Sequence, residues 1–262
     1  MFVEQVTTWF IYAFCLVLGL LLGSFINVVV YRLPLGESLI RPRSHCVSCN
    51  RQLGFHENIP LLSWALQKGR CRGCGVHISL RYPITEASVA LAFVYSLWLI
   101  GLHLILLYLL IGGCTAIAAS EIDLQIRRIP NRLIVWTLMV CLALLAMQVV
   151  VFGQFELVQR FVVAMLLGGL SLYVIAILSR GGIGMGDVKL VGLLGGIIGL
   201  LGFKYLFLML LSAFALGSIY GVALIVAKRA SRKSSVPFGP FIGGGFFLSQ
   251  LAYHFIPHAL LL

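Results

Sequence analysis

The sequence predicts an all-α polytopic membrane protein with about eight transmembrane helices and one small extramembrane domain between the first and the second. The composition is 61% hydrophobic and only 10% charged, with a mean hydropathy of +1.06. A soluble globular domain has about 25% charged residues, so a water-soluble fold is excluded. Several apolar runs reach the ~20 residues needed to cross a bilayer. Because backbone groups inside lipid must bond to one another, these runs are expected to be helices.

The limits of the spans follow from the polar breaks between apolar runs. The second and third spans share one stretch interrupted only at residues 101–103, and the sixth is short and glycine-rich, so the count is open at these two places. The glycines of the sixth are expected to be helix-packing positions. Residues 1–8 contain no Lys or Arg, so the first run is expected to be a permanent span rather than a cleaved signal. The predicted spans are 9–31, 84–101, 103–120, 132–152, 161–178, 188–202, 204–227 and 238–258.

The distribution of positive charge predicts the orientation, because Lys and Arg collect in the cytoplasmic loops of membrane proteins. If residues 32–83 are cytoplasmic, alternation leaves only Arg160 and Lys204 of the 19 Lys and Arg residues on the outer side. This asymmetry also explains the net charge of +11. No nucleic-acid-binding motif competes with that explanation, so nucleic acid is not an expected partner.

The loop of residues 32–83 contains two Cys-x-x-Cys pairs, Cys46 with Cys49 and Cys71 with Cys74. Two such pairs can supply the four thiolates of a structural zinc site. A domain of about fifty residues is too small to hold a large core, so it needs a staple of this kind. Disulfides are the competing use, but a reducing cytoplasm favours zinc.

The chain has two aspartates, Asp123 and Asp187, which fall on the same predicted membrane face. Two carboxyls held close share a proton, so that one activates water while the other protonates a substrate carbonyl, as in aspartic proteases. The alternative is that Asp123 pairs with Arg127 or Arg128, and that Asp187 caps its own helix.

A short glycine-containing segment leads into Asp187. Gly184 and Gly186 allow backbone conformations that other residues resist. With Lys189 they are expected to form a segment along which a peptide substrate approaches the carboxyl group.

Several motifs of the chain recur, in the same order, in one known family. They are Gly23-Ser-Phe-Ile-Asn27 with Tyr31-Arg32-Leu33-Pro34, the cysteine quartet, Asn58-Ile-Pro60-Leu-Leu-Ser63-Trp64, Gly69-Arg-Cys71-Arg, Ile78-Ser-Leu-Arg81-Tyr82-Pro83 leading to Glu86, Asp123 with Ile129-Pro130, Gly184-Met-Gly-Asp187-Val-Lys189, and Pro237-Phe-Gly-Pro240-Phe. In these motifs the chain resembles the bacterial type IV prepilin peptidases, along nearly its whole length. It departs from many of them at Val47, where they carry proline, and at Asn131, where they carry a second aspartate.

The resemblance implies a function. Members of that family lie in the bacterial inner membrane and cut the basic leader from prepilins and pseudopilins at the cytoplasmic face. Many then methylate the new amino terminus with S-adenosylmethionine. Catalysis maps onto Asp123 and Asp187, and zinc onto the four cysteines. Glu86 and the adjoining loop are the candidates for the methyl-donor site, and the alternative for Glu86 is an ion pair with Arg81.

The expected domains are therefore a first transmembrane helix at 1–31, a cytoplasmic zinc domain at 32–83, and a seven-helix aspartic peptidase domain at 84–262. Prepilins or pseudopilins and membrane lipid are the expected partners. One rival is a zinc-stapled transporter that uses the two aspartates as ion or proton sites near the bilayer midplane. Another is a scaffold whose cysteine loop binds a partner.

Overall fold

The computed structural model describes residues 2–179, 183–229 and 236–255, with side chains from residue 7 onward. Three of the basic residues in the orientation argument, Arg180, Arg232 and Lys233, lie outside the described residues.

The described part of the chain is helical, as the sequence predicts. Its only β-contacts are two isolated bridges, both in the loop that carries the cysteines. A single 3₁₀ turn, Phe55–Asn58, also lies in that loop. The helices are α1 Phe2–Leu35, α2 Leu62–Leu66, α3 Arg81–Ile100, α4 Leu104–Ile126, α5 Asn131–Phe152, α6 Phe155–Leu178, α7 Met185–Gly199, α8 Phe203–Val226 and α9 Gly239–Phe255.

Within the described ranges, six helices are long and apolar enough to cross a membrane: α1, α3, α4, α5, α6 and α8. The polytopic all-α fold is thus confirmed. Each predicted span has a helix at its position, but α7 and α9 have only 15 and 17 residues. A helix of 15 residues is about 22 Å long, whereas the hydrocarbon core is about 30 Å thick. The number of eight spans therefore stays a prediction.

Helix ends agree with local chemistry. α1 continues past its predicted end and stops before Gly36, whose φ of +72° provides the left-handed residue that commonly follows a helix. The break between α3 and α4 falls at the predicted place. Gly101 has a φ of +72°, and the ring Nδ1 of His103 accepts a hydrogen bond from the N–H of Ile105 at 3.3 Å.

The chain divides into two compact units, with the boundary between Trp98 and Leu99. The first contains α1, the cysteine loop and nearly all of α3. The predicted division at residues 31 and 83 separates membrane from extramembrane segments, and it stays a prediction.

Helices α1 and α3 of the first unit approach closely at two glycines of α1. A Cβ atom on Gly19 would lie 2.6 Å from the Cα of Ala90, and one on Gly23 would lie 2.6 Å from the Cα of Glu86. Glycines four residues apart are a known signal for close packing of membrane helices. Sequence reasoning missed this pair, although the signal was present.

Helix α7 lies at the centre of the second unit, in contact with α4, α5, α6, α8 and α9. Eleven of its 15 residues are buried. The predicted packing role of its glycines is confirmed. A Cβ on Gly195 would lie 2.8 Å from Leu206 Cδ1, and one on Gly192 would lie 3.3 Å from the carbonyl oxygen of Met165. A side chain at either position would require the neighbouring residue to move.

Candidate active site and cysteine cluster

Asp123 lies in the last turn of α4 and is 5% exposed. Its Oδ2 accepts a hydrogen bond of 2.9 Å from the N–H of Gly239, the first residue of α9. The hydroxyl of Ser120, one turn earlier on α4, donates to the carbonyl oxygen of the same glycine at 3.3 Å. Asp123 is thus fixed at the amino-terminal end of α9, where the helix dipole favours a negative charge. The positive charge of Arg127 also acts on Asp123.

Gly239 lies so close to Asp123 that a side chain at position 239 would require one of the two residues to shift. A Cβ there would lie 3.1 Å from both the Cβ and the Oδ2 of Asp123. Sequence reasoning used the Pro237-Phe-Gly-Pro240 motif only as a point of similarity and gave this glycine no role. A glycine next to a proline at a helix start was the available signal, but nothing in it identified the partner.

Asp187 is the third residue of α7, a helix outside the six candidate spans. Its Oδ2 accepts a hydrogen bond of 3.3 Å from the N–H of Gly184, so it caps its own helix, as the alternative interpretation held. Burial, and secondly the charge of Asp123, raise the pKa of Asp187 to about 6. Asp187 therefore caps its helix and also lies close enough to Asp123 for the two carboxyls to interact electrostatically. The capping role and a shared catalytic role are compatible.

Two contacts join the segments that carry these carboxyls. A Cβ on Gly186 would lie 3.1 Å from the Cβ of Ile129, so the start of α7 packs directly on the chain that follows α4. The ammonium group of Lys189 donates a hydrogen bond of 2.9 Å to Oδ1 of Asn131.

The expected reason for the glycines before Asp187 is wrong. Gly184 has a φ of −74° and a ψ of 145°, values that any residue adopts. Gly186 lies inside α7, where it has an ordinary negative φ. Its lack of a side chain allows the close approach to Ile129, so packing rather than backbone freedom explains it.

The four cysteines of the first unit form a cluster. Their sulfur atoms all lie within 4.8 Å of one another, and the Sγ atoms of Cys46 and Cys74 are 3.9 Å apart. Sulfur atoms that bind one zinc at about 2.3 Å in a tetrahedron lie about 3.8 Å from each other. None of the cysteines in the described chain forms a disulfide. The cluster is positioned to bind a metal ion, as the spacing predicted.

Two matching turns present these sulfurs. The N–H of the first cysteine of each pair donates to a carbonyl oxygen five residues on, at 2.9 Å in both turns. The residue after the second cysteine has a positive φ, +54° in Asn50 and +72° in Gly75. Asparagine and glycine adopt this conformation most readily, which explains why these residue types follow the pairs.

Arg51 links the cluster to the rest of the loop. Its guanidinium interacts with the sulfur of Cys71 and forms an ion pair with Glu57 at 2.5 Å. The N–H of Gly54, and then Arg51, hold the pKa of Glu57 below its usual value. Arg51 therefore places a positive charge beside the cysteine cluster.

Glu86 lies on α3 and is 8% exposed. Its Oε2 accepts a hydrogen bond of 2.8 Å from the N–H of Leu61, a residue with the unusual φ of +58°. The ion pair with Arg81 is not found among the described residues. Glu86 instead holds the cysteine loop onto α3.

A cavity of about 340 Å³ lies within the first unit, between α1, α3 and the cysteine loop. Small-molecule sites have volumes of about 300–1,000 Å³. Glu86 lines the cavity together with the aromatic rings of Tyr31, Trp64 and Tyr82. The sequence indicated Glu86 and the adjoining loop but not this cavity.

The fold and the site together define a polytopic membrane protein with a pair of interacting carboxyls in one unit. The other unit contains a cluster of four cysteines that is positioned to bind a metal ion. The profile of the bacterial peptidase A24 N-terminal domain matches residues 17–100, and that of the type IV leader peptidase family matches residues 110–222.

Individual proteins agree with the profiles. The prepilin leader peptidase/N-methyltransferase of Bacillus subtilis is 33% identical over 90% of this chain and 92% of its own length. The protein of the same name from Pseudomonas putida is 32% identical, over 86% of this chain and 85% of its own. An Escherichia coli enzyme that processes the leader peptides of type 4 prepilin-like proteins is 35% identical, over 87% and 88%. No solved structure matches the chain. The chain belongs to the type IV leader peptidase family.

Proposed function

We propose that this protein is an aspartic endopeptidase of the bacterial inner membrane that removes leader peptides from type IV prepilins or pseudopilins and then methylates the new amino terminus. The observation that carries the proposal is that Asp123 and Asp187, at the amino-terminal ends of α9 and α7, lie near enough for the charge of Asp123 to act on Asp187. Family membership supports it independently.

The surroundings of the two carboxyls suggest separate roles. Both carboxyls accept a backbone N–H at a helix start, but the bond to Asp123 is shorter, 2.9 Å against 3.3 Å. The positive charge of Arg127 also acts on Asp123, so Asp123 is the better holder of the negative charge. Asp187, with a pKa of about 6, is the better holder of the shared proton. Asp123 removes a proton from water as the water oxygen attacks the scissile carbonyl carbon, and Asp187 protonates the carbonyl oxygen. When the C–N bond breaks, a proton returns to the leaving amine. The two titrations belong to the pair as a unit.

The substrate is proposed to approach along Gly184, which is exposed, towards Asp187. Gly186 and Lys189 are proposed to support this segment through packing and hydrogen bonding. They hold the start of α7 against the chain around Ile129 and Asn131, so that both carboxyls keep their positions.

Zinc is the metal proposed for the cysteine cluster, since four thiolates match its usual structural site. With its coordination sphere filled by Cys46, Cys49, Cys71 and Cys74, the ion stabilises the loop rather than taking part in the reaction.

S-adenosylmethionine is proposed to bind in the cavity beside Glu86, where it would supply the methyl group for the new amino terminus. The residues present fit such a ligand. The cavity offers aromatic rings for a purine, and Glu86 is a buried carboxyl for a cationic group. The cysteine loop and both carboxyls are proposed to face the cytoplasm, as the distribution of Lys and Arg predicts.

The deciding experiment is incubation of the protein with a prepilin peptide and S-adenosylmethionine, followed by mass measurement of the products. The wild-type protein should release the leader and add a methyl group to the mature part. Asp123→Asn and Asp187→Asn should each abolish cleavage, whereas Glu86→Gln should retain cleavage and lose methylation.

The matched control is Glu156→Gln, the same change at an exposed carboxyl that pairs only loosely with Arg160. It should leave both reactions unchanged. Full cleavage by either aspartate variant would contradict the proposal and would favour the scaffold interpretation. The transporter interpretation has no support, because the family is one of peptidases and both carboxyls lie at helix ends.

A further inference from the structure

Asn27, on α1, has a buried oxygen atom that makes no hydrogen bond. The residue is 4% exposed, and its Oδ1 lacks a partner. Its Nδ2 donates to the carbonyl oxygen of Tyr82 at 3.1 Å, which fixes the orientation of the amide. Oδ1 is therefore held in place as an acceptor with no donor. Buried polar atoms are rarely left in this state, and a missing ligand is one common explanation.

The same cavity contains a second acceptor. Asn27 and Glu86 both line it. One oxygen of Glu86 accepts from the N–H of Leu61, and the hydroxyl of Ser24 bonds to the same carboxyl group. These contacts keep the carboxyl in position and leave it further acceptor capacity, because a carboxylate offers about four lone-pair sites.

The other charges that line the cavity limit what the ligand can be. Glu57 is committed to Arg51, so Glu86 is the acidic group without a cationic partner among the lining residues. A primary ammonium group has three donors and no acceptor, so it matches an amide oxygen and a carboxylate together. Arg32, which is 5% exposed, also lines the cavity and suits a carboxylate.

We propose that Asn27 Oδ1 and the Glu86 carboxylate together bind the α-ammonium group of a ligand in this cavity. The proposal rests on the proposed methyl transfer, in which two reactants carry such a group. One is the methionyl end of S-adenosylmethionine, which also has a carboxylate for Arg32. The other is the new amino terminus of the mature pilin.

The test measures binding to the purified full-length protein by calorimetry, apart from any reaction. If the methionyl end is the ligand, Asn27→Leu should lower the affinity for S-adenosylmethionine by about 10- to 100-fold. This is the usual effect of losing one hydrogen bond to a charged group. The affinity for methylthioadenosine, which lacks the amino-acid end, should change by less than about twofold. Asn27→Asp should restore binding, because a protonated carboxyl can donate to Tyr82 and still offer an acceptor.

A second arm uses a mature pilin peptide with a free or an acetylated amino terminus. If the pilin is the ligand, Asn27→Leu should lower the affinity only for the peptide with a free amino terminus. The affinity for S-adenosylmethionine should then be unchanged. Val29→Ala is the matched control, since Val29 is buried on the same helix but does not line the cavity. It should leave each affinity within about threefold.

Protease resistance of residues 36–80 reports folding of the first unit, which contains Asn27, and cleavage of a prepilin peptide reports the second unit. If Asn27→Leu loses that resistance, the smaller Asn27→Ala replaces it and should show the same changes in affinity. Equal affinities in wild type and variant for both ligands would overturn the ammonium site while leaving the proposed function intact. Equal weakening of methylthioadenosine and S-adenosylmethionine would overturn it too. A wild-type protein that binds neither ligand would overturn both the site and the methyl transfer.

Discussion

Single residues decide how the two carboxyls behave. The pKa of Asp187 is raised from its ordinary value of 3.8 to about 6, first by burial and then by the charge of Asp123. The folded chain therefore holds this proton more tightly than the unfolded chain does. Stability from this source is complete below pH 3.8 and is lost as the pH rises through about 6. The raised pKa therefore costs some stability at neutral pH, where the Asp187 carboxyl is mostly ionised in spite of its burial.

Asp187→Asn should stabilise the protein at pH 8 and not at pH 4. A shift of two pKa units corresponds to about 3 kcal/mol, and screening at a half-buried site reduces the expected gain to about 1–2 kcal/mol. Unfolding in detergent at the two pH values measures the gain, with Glu156→Gln as the exposed control. Equal effects of Asp187→Asn at both pH values would show that its carboxyl is not perturbed.

Gly239→Ala should lower kcat for leader cleavage by about 100-fold, because its Cβ would displace the carboxyl group of Asp123 or the start of α9. Substrate binding should change little. Gly221→Ala is the matched control, since a Cβ on Gly221 meets nothing within 4 Å. Steady-state kinetics on both variants decides the matter, and similar kcat values would contradict a close contact between Gly239 and Asp123.

At the scale of elements, the helices were predictable and their contacts were not. Apolar length and polar breaks located every long helix within a few residues at most ends. A helix such as α7, which is apolar all round after Lys189, has no amphipathic face that would reveal its neighbours. The contact of Gly239 with Asp123 joins residues 116 positions apart. The spacing of Gly19 and Gly23 was an available signal of a packing surface that sequence reasoning missed, and it could not have identified α3 as the partner.

The link between α7 and the chain before α5 also belongs to this scale. Lys189→Met keeps the length of the side chain and removes its hydrogen bond to Asn131. We expect kcat to fall about three- to tenfold, the effect of one exposed hydrogen bond on the alignment of the carboxyls.

Lys189→Arg retains a donor and should restore most of that loss. Asn131→Asp would turn the hydrogen bond into an ion pair and should also remain active. Unchanged kcat in Lys189→Met would show that the link does not position the site.

For the whole molecule, the separation into two units predicts that two reactions can fail separately. The interacting carboxyls lie in the unit that begins at Leu99, whereas the cysteine cluster and the cavity lie in the other. Cys46 and Cys71 line that cavity themselves. Loss of the metal should therefore damage methylation before it damages cleavage.

Chelation of zinc, or Cys71→Ser, should make residues 36–80 sensitive to added protease and lower methylation at least about tenfold. Leader cleavage should persist at chelator concentrations that abolish methylation. Cys114→Ser, a change outside the cluster, is the control. Undiminished protease resistance after metal removal would contradict a structural role for zinc.

The partners that hold Asp123 and Asp187 are the backbone N–H groups of Gly239 and Gly184. A main-chain amide is present whatever side chain the genetic code specifies, proline excepted, so mutation elsewhere cannot easily remove it. Two carboxyl groups that are held by backbone hydrogen bonds can keep their positions while many lipid-facing side chains around them are replaced. Divergence to about one-third identity, as between this chain and the Bacillus subtilis protein, can then proceed without rebuilding the site.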